Sequence, residues 1–165
     1  MSKYYDEANE ALGTIDRIKE ELARVASVDY FVGLNLFQRF LHRRTIIAMI
    51  LSLDCRKIDG LLEKVFIFLK NYANDDDTPC RMHVEISKAK NAIDDMGGLM
   101  DALWHQTKLS NEFWDACIKQ FRIFWWLTDV ESTIKDIALY ECERYNRELL
   151  QQKTEAATTT DEEKD

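Results

Sequence analysis

Proline is nearly missing from this sequence, with one residue, and glycine is sparse, with five. Folds built from many short strands need frequent turns, so this scarcity argues against all-β architectures and leaves long intervals free of helix breakers. The four cysteines stand apart at positions 55, 80, 117 and 142, with no Cys-x-x-Cys pair. A disulfide framework and a zinc-finger module therefore both lack their spacing. No cleavable apolar leader follows Met1, and with the isolated thiols this makes a reducing cytoplasm the expected location. The uncharged run Thr45 to Leu53 falls short of the roughly 20 apolar residues that cross a bilayer, so no membrane anchor is expected. Bases are also outnumbered, 22 against 30 acids, for a net charge of −8. General binding to a phosphate backbone is disfavoured by that sign.

What the chain does have is apolar material: 46% hydrophobic and 11% aromatic residues over 165 positions, enough for one real core. The expected class is all-α, a mostly antiparallel bundle of about five helices with a long C-terminal helix. One helical domain is expected over residues 1–153, followed by a disordered acidic tail over 154–165, which ends TTTDEEKD.

Spacing carries the helix assignments. Tyr4, Ala8, Ala11, Ile15, Ile18, Leu22 and Val25 alternate by four and three, a narrow seam on a helix from about Lys3 to Ser27. Such a seam requires a partner helix, in this chain or in another. A second helix is expected from Leu36 to Leu53, polar at first and then apolar on every side from Ile46 to Leu51, which places its second half inside the bundle. Ile58, Leu62, Val65, Leu69 and Tyr72 mark a third helix that ends before Pro79. Thr78 and Pro79 have the form of a helix start, a hydroxyl at the cap and a ring in the first turn. The stride then continues through Met82, Ile86, Ala89, Ile93, Met96, Met100 and Leu103, holding its phase across Gly97 and Gly98, which predicts one kinked helix. The last helix runs from about Ser110 to Lys153 with Leu127, Val130, Ile134, Ile137, Glu141, Tyr145 and Leu149 in register. Its C-terminal half outruns the other helices and is expected to pair in coiled-coil fashion with the first helix or with another copy.

The known catalytic and metal patterns are incomplete here. None of His42, His83 or His105 has a glutamate three residues before it, so the di-iron bundle motif is absent. Glu112 and Asp115 form half of a helical pyrophosphohydrolase pattern whose upstream Glu-x-x-Glu is missing. Cys80 and His83 have zinc-ligand spacing but no second pair. No catalytic residue, cofactor or metal is expected. A local charge of +4 from Arg39, Arg43, Arg44, Arg56 and Lys57 against Asp54 leaves −12 for the remainder, a polarity that suits self-association or an acidic partner. Alternatively, Arg43 or Arg44 simply pairs with an acid such as Asp129 or Glu131 on another helix. Trp125 and Trp126 are adjacent on a helix and cannot both face one core, so one of them belongs at a contact.

These features lead to an expected role as a non-catalytic protein–protein interaction module, with a protein partner or a homo-oligomer. Its partner-binding residues would be Arg39, Arg43, Arg44, Ile15, Leu22, Trp125, Trp126, Ile134 and Tyr145. An acidic inhibitor that mimics nucleic acid is the alternative, and an enzyme or carrier using the bundle interior is the third reading.

Overall fold

A computed structural model of the protein describes residues 3–23, 35–41, 54–105 and 122–164. Among them every regular element is helical: α1 (Lys3–Ala23), the short α2 (Leu36–Leu41), α3 (Cys55–Ala73), α4 (Cys80–His105) and α5 (Arg122–Lys164). The second half of the expected Leu36–Leu53 helix and the first residues of the expected last helix lie outside the described residues.

Each long helix buries the stripe its sequence spacing marks. Ala8, Ala11, Ile15, Ile18 and Leu22 of α1 are buried, as are Ile58, Leu62, Val65, Leu69 and Tyr72 of α3. On α4 the buried set includes Met82, Ile86, Ala89, Ile93, Met96 and Met100, and on α5 Leu127, Val130, Ile134 and Ile137. All belong to one core. α1 packs against α3 and α5, and α4 packs against the same two helices, so the four long helices close a ring around that core. The α1 seam therefore finds partner helices within its own chain.

Local chemistry sets the ends. Asp54 caps α3, its carboxylate accepting from the Lys57 N–H at 3.0 Å. α2 opens with a reciprocal pair in which Asn35 Oδ1 accepts from the Gln38 N–H at 2.9 Å and Gln38 Oε1 accepts from the Asn35 N–H at 3.1 Å. Thr78 acts otherwise than its sequence position suggests. Its hydroxyl donates back to the Tyr72 carbonyl, closing the end of α3. The turn is tightened by Asp75, which accepts from the Asp77 N–H at 2.9 Å. α4 starts one turn residue later, at Cys80, and runs unbroken through Gly97 and Gly98.

α5 is 43 residues long and continues to Lys164, where the composition suggested a disordered tail from Thr154. No Gly or Pro interrupts it, and Thr154, Thr158, Thr159 and Thr160 each donate a hydroxyl hydrogen bond to the carbonyl four residues back. None of the described residues from Cys142 to Glu163 is buried.

Candidate interaction surface

The functional candidates fall at three places: the polar end of the core, the outer side of α4 and α5, and the part of α5 beyond the core. At the polar end, three elements converge. Tyr4 of α1 donates to Asp75 Oδ2 at 2.6 Å, and Tyr72 of α3 donates to Glu141 Oε1 of α5 at 3.0 Å. The two tyrosine rings meet edge to face with centroids 5.1 Å apart. Arg144 then spans the cluster, 3.6 Å from Glu141, 3.7 Å from Asp77 and 3.3 Å from Glu148. Glu141 is 1% exposed, so its charge sits in the core with a phenol and a guanidinium as neighbours. The Asp75 carboxylate pushes the Tyr4 phenol up to about 12, with burial adding to the effect. Burial, reinforced by the Glu141 charge, holds Tyr72 far above the ordinary phenol range. The same Tyr4 hydrogen bond, helped by the Asp77 N–H, lowers Asp75.

At the other end, Lys57 Nζ reaches Glu21 at 2.7 Å, and Glu131 is shared between Lys19 and Lys135, the latter at 2.8 Å. The hydrogen bonds from Lys135 and Lys19 lower the Glu131 carboxyl. Glu131, considered above as a mate for Arg43 or Arg44, thus has two lysines on it.

The expected partner-binding residues separate into distinct groups. Ile15 and Ile134 are fully buried and Leu22 is 2% exposed, and all three line the chain's own core. Trp126 is half-buried against that core, and Tyr145 is half-buried on α5 just past it. Arg39 lies on α2, and Trp125 lies in the first turn of α5. Arg43 and Arg44 lie outside the described residues.

Among the described residues, sequence spacing did not identify the large apolar side chains on the surface: Phe37 and Leu41 on α2, Ile67 on α3, Val84 on α4, and Leu139 and Leu150 on α5. Leu139 and Leu150 are eleven residues apart, about three full helical turns, and so share one side of α5. Between α4 and α5 a groove of about 410 Å³ is lined by residues that include Arg81, Met82, Asp136, Ile137, Leu139 and Tyr140. Among the described residues no cluster of three or more His, Cys, Asp or Glu is placed to hold a metal ion, and no helix is long and apolar enough to cross a membrane. Cys55 is buried, and that burial raises its thiol above the ordinary value, as for an unreactive core cysteine.

No known protein family, curated protein or solved structure matches this chain.

Proposed function

We propose that this protein is a non-catalytic helical interaction module, an adaptor, assembly or regulatory subunit that works by presenting helix surfaces to another protein or to a second copy of itself. The observation that carries this reading is the unburied length of α5. From Cys142 to Lys164 the helix extends roughly 35 Å past its last buried residue, Glu141. An isolated helix of that kind is marginal in water and is ordinarily stabilised by packing. Tyr145, Leu149 and Leu150 supply apolar contact near its root, and Leu139 continues the side of Leu150 back toward the core.

The scaffold beneath is read as a mostly antiparallel bundle. This is supported by which ends meet: Tyr4 with Asp75, Glu21 with Lys57, and Lys19 with Glu131. In that scaffold Ile15, Leu22 and Ile134 hold the helices together, Tyr145 and Trp126 belong to the proposed partner surface, and Trp125, Arg39, Arg43 and Arg44 are candidates for it on their sequence alone.

Native mass spectrometry on protein purified from its own host at modest salt tests the proposal. The expected result is a defined complex with another protein that is lost in Leu150→Glu or on removal of residues 146–165, while the thermal unfolding of the isolated chain stays unchanged. A monomer carrying a stoichiometric metal or small molecule would overturn the reading in favour of the bundle interior as the working site.

A further inference from the structure

The groove between α4 and α5 has a defined chemistry. Buried Met82 and Ile137 line it together with Thr133, whose hydroxyl is already used within its own helix, donating to the Asp129 carbonyl. Leu139, 60% exposed, adds an apolar edge. The charged lining is mainly acidic: Glu85, Asp136 and Glu143 against Arg81, whose guanidinium lies 5.7 Å from the centre of the Tyr140 ring. An occupant that satisfies this groove brings apolar side chains and positive charge.

The same chain carries that combination on α2. Phe37 and Leu41 are 70% and 61% exposed and stand one turn apart, which places them on one face of the helix. The sequence from Asn35 to Leu53 contains Arg39, Arg43 and Arg44 and no acid. Two large apolar side chains left in water on one short helix, within an acid-free stretch, complement a groove whose rim is carboxylate.

We propose that the α4/α5 groove is a self-association site that receives α2 of a second copy. Phe37 and Leu41 enter the apolar lining, and α2, whose one charged residue is Arg39, brings a positive charge that complements the acidic lining at Asp136 and Glu143. This rests on the interaction-module reading and names the partner. A surface patch complementary to a groove elsewhere on the same molecule gives a head-to-tail contact, or a closed pair where two copies exchange α2 reciprocally. Removal of apolar surface from water drives the contact, while the charges steer it and fade as salt rises.

Sedimentation velocity on the full chain at modest salt, over a wide concentration range, tests the inference. Association is expected, weakened about tenfold or more by Phe37→Glu or by Leu139→Glu. Both side chains are exposed, so helix content measured by circular dichroism should stay unchanged. Mixing the two variants restores association, because one retains an intact groove and the other an intact α2. A monomer at every concentration, an oligomer indifferent to both substitutions, or a mixture that remains monomeric would overturn the proposal. Failure here is distinguishable from failure of the wider reading, which is tested by Leu150→Glu and by removing residues 146–165.

Discussion

Glu141 is the residue at which sequence and structure inform each other most closely. Its spacing placed a carboxylate in an apolar register, and the structure buries it there with Tyr72 donating to it and Arg144 beside it. The register was legible because it is local. The partner was not, since Tyr72 lies 69 residues away in sequence and nothing in either helix alone points to the other. Tyr72→Phe removes one donor from a buried carboxylate and is expected to cost about 1–2 kcal/mol in chemical denaturation. Combined with Glu141→Gln, the double-mutant cycle should give a coupling of about 1 kcal/mol, whereas additive losses would mean that the two groups do not act as a pair. The tyrosines also set an alkaline limit. Tyr4 has its folded-state value raised to about 12 from an ordinary 10.0, so the stability it contributes is complete below pH 10 and is lost as pH rises toward 12. Unfolding followed through that window should show a steep loss that Tyr4→Phe makes shallower. At the acid side the sign reverses: Glu131 is lowered by its lysines, so its contribution is present above the ordinary value of 4.5 and lost as pH falls below it.

At the scale of the element, α4 and α5 show two ways in which local preference and fold combine. Gly97 and Gly98 each cost about 1 kcal/mol against alanine in a helix interior, yet α4 continues through them because Met96, Leu99 and Met100 on either side are buried. The unbroken phase of the apolar stride was therefore the stronger signal. A methyl group at Gly98 meets nothing within 4 Å, whereas at Gly97 it meets Asp59 Oδ1 at 3.2 Å. Gly98→Ala is expected to stabilise the fold by about 0.5–1 kcal/mol, with a smaller gain for Gly97→Ala as the exposed Asp59 side chain gives way, both read from denaturation midpoints. The end of α5 is the opposite case. Its acidic, threonine-rich composition suggested disorder, while the structure continues the helix to Lys164 with its threonine hydroxyls turned back onto the helix and no described residue buried. Composition records how little that segment can bury, and helix geometry records only that nothing breaks it. Truncation after Lys153 should leave the thermal midpoint unchanged, and amide exchange beyond Leu150 should be fast in the isolated protein. Strong protection in that segment would require a partner already seated on it.

Over the whole molecule, the four stripes were readable one at a time, but their arrangement was not, because the contacts that join them span long separations. Lys19 and Glu131, paired across α1 and α5, are 112 residues apart. The seam of α1 looked the same in sequence whether its partner helix came from this chain or from another. The structure closes it internally, which has a thermodynamic consequence separable from the proposed docking. Ile15 is fully buried and Leu139 is exposed, so the two substitutions act on different equilibria. In a background carrying both Leu139→Glu and Leu150→Glu, studied at concentrations where docking at the groove and along α5 is negligible, Ile15→Ala should cost about 2–4 kcal/mol as a cavity in a single-chain core. Its denaturation midpoint should be independent of protein concentration, because unfolding a core made by one chain involves no change in the number of molecules. A midpoint that rises with concentration in that background would mean that α1 is shared between copies. The folded unit would then be the pair, with self-association built into the core itself.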